Sequence, residues 1–185
     1  QSIAAEVRRA LAATAGVVTD VGSVKGSVVA EVDDPRFVGG HPMAGSEQLG
    51  VDGSRPDLFE GAVWVLTPTG GTDSDHFALV AAVVRLLGAE VVALEPERHD
   101  ALVAIVSHVP HLTAASLMGI ASDRAEEHAA LLRLAAGGFR DMTRIASGHP
   151  AIWLDICADN RGAIVGVLDG LIERLSTMRD IVATE

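Results

Sequence analysis

The stretch FVGGHPMAGSEQLG, residues 37–50, places a histidine where a general base could act. An apolar strand end runs into Gly39 and Gly40, which permit backbone angles or close approaches that a Cβ would forbid. Pro42 disfavours the α conformation for His41, so this imidazole is expected on extended backbone at the mouth of a strand. A reference pKa of ~6.5 suits an imidazole to proton transfer near neutral pH. The alternative is a core histidine that is bonded to a backbone carbonyl.

A second polar stretch, TDVGSVKG, covers residues 19–26 and follows a predicted strand. In an open parallel sheet, ligands bind outside the carboxyl ends of the strands. Ser23 and Lys25 would then face a ligand crevice. The alternative is an ordinary glycine-containing turn, and the spacing alone favours that alternative.

The segment SHVPH brings His108 and His111 three residues apart, on one face of a predicted helix. Two histidines at this spacing could bind a metal, but neither a Glu-x-x-His motif nor a cysteine pair accompanies them. We therefore predict no metal site. A polar pocket lining beside a kink at Pro110 is the preferred interpretation.

The segment GGFRDMTRIA, residues 137–146, clusters Arg140, Asp141 and Arg144 after two glycines. The two arginines would share a helix face. A guanidinium can hold a carboxylate through two parallel charge-assisted hydrogen bonds. The alternative is a solvated helix face, which the charge spacing alone favours.

Composition restricts the function further. The 185 residues are 49% apolar, which predicts a large core, a buried subunit interface, or both. A net charge of −11 argues against nucleic acid as a partner. No uninterrupted apolar run approaches the ~18 residues of a membrane span, and no signal-peptide pattern is present. Cys157 is the single cysteine, so a disulfide framework is excluded and a reducing cytoplasm is expected.

Strands and helices alternate up to about residue 95, which predicts an α/β unit with a mainly parallel sheet. The expected strands are residues 16–21, 36–40, 62–68 and 89–94. Helices are expected at residues 1–14, within 22–32, and at 72–88, the last capped by Asp73 or Ser74 and ended by Gly88. The predicted division is residues 1–95 and 96–185, the second part being all-α.

The helical part contains three predicted segments. A long helix begins near Pro96 and is expected to kink at Pro110, which cannot donate to the carbonyl of Val106. A second is expected at residues 122–138, with Asp123 and Glu126 in capping-box spacing. The third predicted helix lies in the part that begins at His149. Its apolar residues repeat at intervals of four and three, as in a buried helix seam: Ile164, Leu168, Leu171, Leu175 and Met178.

Taken together and in order, these stretches closely resemble the prephenate dehydrogenase family. The motifs TDVGSVKG, RFVGGHPMAGSEQLGV, LFEGAVWVLTPT, HDALVAIVSHVPHLTAASL and GGFRDMTRIASGHPAIWLDICADN carry the resemblance over nearly the whole chain. It implies a partial Rossmann-like parallel sheet followed by a helical dimerisation domain. It also implies oxidative decarboxylation of prephenate to 4-hydroxyphenylpyruvate with NAD or NADP, in a homodimer.

The resemblance implies roles for particular residues. His41 matches the catalytic histidine that hydrogen-bonds the ring hydroxyl of the substrate, and Ser23 matches the serine beside that histidine and the nicotinamide. Arg144 matches the arginine that holds a substrate carboxylate. Other implied substrate-pocket residues are His108, Ser46, Glu47, Trp153 and Arg140, the last where relatives often carry lysine. Asp20, Ser23 and Lys25 are the implied cofactor contacts.

One family feature is not found in the sequence. The G-x-G-x-x-G turn that cradles a pyrophosphate occurs nowhere in these residues, so the resemblance begins near the middle of the nucleotide domain. We therefore expect very weak NAD binding by this chain itself. Two alternatives to prephenate oxidation stay open, namely a preference for arogenate and a non-catalytic dimerising fragment.

Overall fold

A computed structural model describes residues 2–45, 50–125, 130–148 and 150–184. The chain divides into two compact units, Gln1–Leu102 and Val103–Glu185. The first is an α/β unit and the second is helical throughout its described residues. The predicted fold class, α/β plus all-α, is confirmed.

The first unit is built on a four-stranded sheet with the strand order β1-β2-β3-β4. The strands are β1 Val18–Thr19, β2 Phe37–Pro42, β3 Val63–Thr67 and β4 Glu90–Ala93. The β1/β2 and β3/β4 pairs are parallel, whereas β2 and β3 are antiparallel. The sheet is therefore mixed, because the described residues between β2 and β3 form no α-helix that could make a parallel crossover.

Three helices pack with this sheet: α1 Ile3–Ala13, α2 Gly26–Glu31 and α3 Ser74–Leu86. Asp73 caps α3 by accepting hydrogen bonds from two backbone N–H groups of its first turn, as one of the two predicted caps. Gly88 follows the end of α3 at φ +82°, a conformation that favours glycine. Val38, Leu66 and Val84 lie at the centre of the core between sheet and α3.

A long helical stretch begins in the first unit with α4, Pro96–Val103. It continues through a π-helical turn, Ala104–His108, into α5, Val109–Ala125. The π turn ends at His108, two residues before Pro110, and the expected kink at Pro110 stays a prediction. By length and composition Pro96–Ala125 could cross a membrane, a test that core helices of soluble proteins also pass.

The rest of the second unit comprises α6 Leu131–Leu134, α7 Gly137–Arg144, α8 Pro150–Asp159 and α9 Arg161–Thr184. The helix predicted over residues 122–138 is wrong in its bounds. Asp123 lies inside α5 rather than at a helix start, and Glu126 lies outside the described residues. Backbone at Ala135 turns extended and ends α6, so α7 begins as a separate helix at Gly137.

Candidate active site

His41 lies near the end of β2, next to a histidine that the sequence did not single out. Its Nδ1 atom is 2.8 Å from Nε2 of His99, and the two rings meet edge to face at 74°. His41 is half-buried, whereas His99 is 0% exposed. The imidazole of His41, the candidate base, is therefore in hydrogen-bonding distance of the buried imidazole of His99.

His99 is bonded in turn to the next residue along α4. Its Nδ1 atom lies 2.8 Å from Oδ1 of Asp100. The carboxylate of Asp100 also accepts hydrogen bonds from the backbone N–H groups of Lys25 at 2.9 Å and Gly26 at 2.8 Å. Burial opposes ionisation of Asp100, but the bonds from His99 and from both amides outweigh it and lower the pKa of this carboxyl. Imidazole, imidazole and carboxylate thus form one continuous chain.

The sequence contained a weak signal for this pair. His99 and Asp100 stand together in the segment EPERHD, just after Pro96 starts a helix. Both are buried, and buried polar groups need partners. Their partner, His41, is 58 residues away, and nothing local predicts that contact.

Asp20 and Lys25 pair with each other in the interior of the first unit. The ammonium of Lys25 is 0% exposed and is bonded to Oδ2 of Asp20. Asp20 also accepts from the N–H groups of Gly22 at 2.8 Å and Gly40 at 3.0 Å. Burial lowers the pKa of Lys25, and the attraction to Asp20 opposes this shift. The pair ties the loop after β1 to the residue that precedes His41.

The glycines before His41 are needed for close packing. A Cβ on Gly40 would lie 2.8 Å from the carbonyl oxygen of Asp20, and one on Gly39 would clash with the hydroxyl of Thr67. The close approach predicted for these glycines is confirmed. Ser23 is half-buried in the loop after β1, and its role beside the imidazole stays a prediction.

In the second unit, a histidine and a tryptophan form an aromatic stack. The rings of His111 and Trp153 are 3.5 Å apart and nearly parallel, at 8°. Nδ1 of His111 donates to the carbonyl oxygen of Ile145 at 2.8 Å. Burial lowers the pKa of His111, and this hydrogen bond opposes the shift only in part. Burial thus favours the neutral form of His111, in which Nε2 is an acceptor because Nδ1 carries the proton.

His108, the histidine that the resemblance placed in the pocket, is 1% exposed. Its Nδ1 atom lies 3.2 Å from the side-chain nitrogen of Asn160, and its ring meets the edge of Trp153. Both histidines of the SHVPH segment therefore contact Trp153. Among the described residues, no group of three or more potential ligands could hold a metal ion.

Arg140 and Arg144 lie one helical turn apart on α7, so they share a face as predicted. Both are exposed, and Arg144 directly precedes Ile145, whose carbonyl oxygen binds His111. Arg144 is thus the sequence neighbour of the residue that is bonded to His111. Ser46 and Glu47 lie outside the described residues.

Comparison with known sequence families identifies the class of each unit. Residues 1–93 match a family described as the nucleotide-binding domain of prephenate dehydrogenase. Residues 95–185 match the family described as its dimerization domain. The chain therefore belongs to the prephenate dehydrogenase family.

Individual relatives agree with this assignment. Prephenate dehydrogenase of Bacillus subtilis is 40% identical over 174 residues, covering 91% of this chain and 47% of the relative. Cyclohexadienyl dehydrogenase of Zymomonas mobilis is 34% identical, covering 91% of this chain and 59% of the relative. The chain thus spans about half of the length of these relatives.

Solved structures give the same result for the fold. The crystal structure of prephenate dehydrogenase from Aquifex aeolicus in complex with hydroxyphenyl propionate and NAD+ matches with a TM-score of 0.85 at 37% identity. It is aligned over 91% of this chain and 60% of that one. Arogenate dehydrogenase from Synechocystis matches with a TM-score of 0.78 at 31% identity.

Proposed function

We propose that this chain forms part of an NAD- or NADP-dependent dehydrogenase that oxidatively decarboxylates prephenate to 4-hydroxyphenylpyruvate. The observation that carries the proposal is the match to both domains of one family, in order, over residues 1–93 and 95–185. The polar chain behind His41 supports it, because this reaction needs a positioned base. The role is in tyrosine biosynthesis, and the expected location is the cytoplasm.

In this mechanism His41 accepts the proton of the ring hydroxyl. A bound nicotinamide would supply the acceptor for the hydride of the carbon that bears this hydroxyl. The carbon–carboxylate bond of the ring then breaks, CO₂ leaves, the electron pair of this bond completes the aromatic ring, and the phenolate oxygen takes the proton back from His41. Since the ring becomes aromatic, the overall step is effectively irreversible. The protein has to supply a base and correct positioning.

The described residues fit the nicotinamide end of a dinucleotide. The carboxyl ends of the parallel strands β1 and β2 meet at one edge of the sheet, and the bond from the Gly40 N–H to Asp20 joins the two. Ser23 in this loop is proposed to contact the nicotinamide. We propose no contact between Lys25 and a cofactor phosphate, because the ammonium of Lys25 is buried against Asp20 and is not directed to solvent. Asp20 and Lys25 are therefore proposed to shape the cofactor loop.

The substrate carboxylates are proposed to bind arginine. Arg144 is the main candidate, with Arg140 on the same face of α7. Trp153, with His108 and His111 against its ring, is proposed as the wall of the pocket. Ser46 and Glu47 are proposed pocket residues on the basis of the family resemblance alone.

Arogenate is a second candidate substrate. It differs from prephenate by an amino group in place of the side-chain keto oxygen, and an arogenate dehydrogenase is among the similar structures. Steady-state kinetics with both acids, each with NAD and with NADP, would test the proposal on the intact protein. Higher kcat/KM for prephenate would support it. Turnover of neither acid with either cofactor would refute it.

A second copy of the chain is the proposed partner. Apolar residues of α9 from Ile172 onward are exposed in the single chain, including Ile172 at 62%, Leu175 at 51% and Met178 at 63%. A groove of about 710 Å³ lies beside the earlier part of this helix, lined by residues such as Met142 and Leu171. Exposed apolar surfaces of this extent mark interaction sites. Burial in a homodimer would complete the seam that the sequence predicted.

A further inference from the structure

We propose that Asp100, acting through His99, fixes the tautomer of His41 so that Nδ1 carries the proton and Nε2 accepts the substrate proton. His99 and Asp100 are positioning residues in this account, since neither is expected to touch the substrate. The inference rests on the proposed function only in that it takes His41 as the base. The geometry behind it lies entirely within the first unit.

The direction of the hydrogen bonds follows from the fixed end of the chain. Asp100 accepts from the backbone N–H groups of Lys25 and Gly26, which can only donate. These two bonds favour the ionised carboxylate, and an ionised carboxylate is an acceptor only. Nδ1 of His99 must therefore donate to Asp100.

The next two steps follow from the chemistry of neutral imidazole. A neutral ring carries one N–H, so a His99 that donates through Nδ1 has an acceptor at Nε2. That atom is 2.8 Å from Nδ1 of His41. Nδ1 of His41 must then donate, which leaves the lone pair of this ring on Nε2.

Burial stabilises these hydrogen-bond directions. His99 is 0% exposed and Asp100 is 8% exposed, so water cannot readily replace a lost partner. Lys25 pairs with Asp20 and is also attracted by the charge of Asp100. Asp100 is joined to His41 through the ring of His99, so its negative charge would stabilise His41 after it has taken up a proton.

Substituting Asp100 with asparagine should reverse the whole chain. With its NH₂ group at the position of Oδ1, Asn would donate to Nδ1 of His99 and lose the bond from the Lys25 N–H, while its amide oxygen would keep the bond from the Gly26 N–H. Nε2 of His99 would then carry the proton and donate to His41. His41 would be left with its proton on Nε2, the wrong tautomer for a base at that atom.

Imidazole ¹⁵N NMR of the 185-residue chain tests this without substrate or cofactor, because it distinguishes the two tautomers. We expect the Nδ1–H tautomer of His41 in the parent and the Nε2–H tautomer in Asp100→Asn. The matched control is Asp75→Asn, which alters an exposed carboxylate in the first turn of α3 and should change neither. An Nε2–H tautomer of His41 in the parent would overturn the inference, even if every variant failed to fold.

Kinetics of the intact enzyme with prephenate provides the second test. Asp100→Asn should lower kcat by about 100-fold or more, with KM changed by less than about threefold. His99→Gln keeps an acceptor for His41 and a donor for Asp100, so it should retain at least about a tenth of kcat. His99→Phe keeps neither and should behave like Asp100→Asn.

The two tests separate the inference from the proposed function. If the parent enzyme does not turn over prephenate, the proposed function fails while the NMR result still decides the tautomer. If the parent is active and Asp100→Asn retains the kcat of Asp75→Asn, the positioning role of Asp100 is refuted. Equal losses in His99→Gln and His99→Phe would also contradict it, because only the first preserves the hydrogen-bond directions.

Discussion

Replacing Lys25 with methionine removes a buried positive charge while keeping a side chain of similar length. The ammonium is 0% exposed and the side chain of its partner, Asp20, is 5% exposed. Removing one member of a buried ion pair typically costs about 3–5 kcal/mol, because the other charge is left uncompensated. Asp20 would keep its bonds from the N–H groups of Gly22 and Gly40, so we expect about 3 kcal/mol, at the lower end.

Urea unfolding measures this loss in the first unit. Of the two tryptophans, Trp64 is buried in the core of the first unit and Trp153 lies in the second. In a Trp153→Phe background the fluorescence of Trp64 reports the first unit alone. With a slope of about 1–3 kcal/mol per molar urea, the midpoint should fall by about 1–3 M.

A matched control and a double variant define the refuting result. Arg55→Met breaks the ion pair with Asp57, in which both side chains are at least half exposed, and should leave the midpoint almost unchanged. Lys25→Met combined with Asp20→Asn should be less destabilised than the sum of its single variants. A midpoint for Lys25→Met equal to that of Arg55→Met would refute the claim that this pair holds the loop.

Three further predictions concern other parts of the chain. The pKa of Asp100 is lowered in the folded state, so the stabilising contribution of this carboxylate is complete above the unfolded pKa of about 3.9 and is lost as pH falls through the folded pKa. The difference in unfolding free energy between the parent and Asp100→Asn should therefore shrink on acidification. A difference that stays constant through an acid titration would contradict this. In the intact enzyme, Arg144→Ala should raise KM for prephenate by about tenfold or more, and Arg140→Ala should raise it less. Equal KM values for Arg144→Ala and the parent would exclude a contact between Arg144 and a substrate carboxylate. Leu175→Glu with Met178→Glu should convert the proposed dimer to monomer in sedimentation velocity, and a parent that sediments as a monomer would refute the dimer.

Much of the first unit was predictable because its signals are local. Asp73 before an amphipathic run and Gly88 after it mark the ends of α3, since a cap and a left-handed glycine act on their immediate neighbours. The glycines before His41 likewise predicted the close packing that the structure shows. The antiparallel pairing of β2 with β3 was not predictable, because it depends on how the intervening loop returns along the sheet.

The candidate site was predictable only in part. His41 was identified from its backbone context and the family resemblance, but its partner His99 approaches it from a distant helix. Lys25 appeared as a cation facing a ligand, whereas its burial against Asp20 depends on the packing of the whole unit. Exposure of Leu175 and Met178 also could not be read from periodicity, which is the same for a seam covered within one chain and for one covered by a second copy.

The central claim is that His41 is the base that takes the substrate proton. Comparing kcat and KM of His41→Asn with those of the parent, in the intact enzyme with prephenate at saturating cofactor, tests it most directly. The account predicts that kcat falls by about 100-fold to 10,000-fold while KM changes by less than about threefold. A kcat within about threefold of the parent value would contradict it.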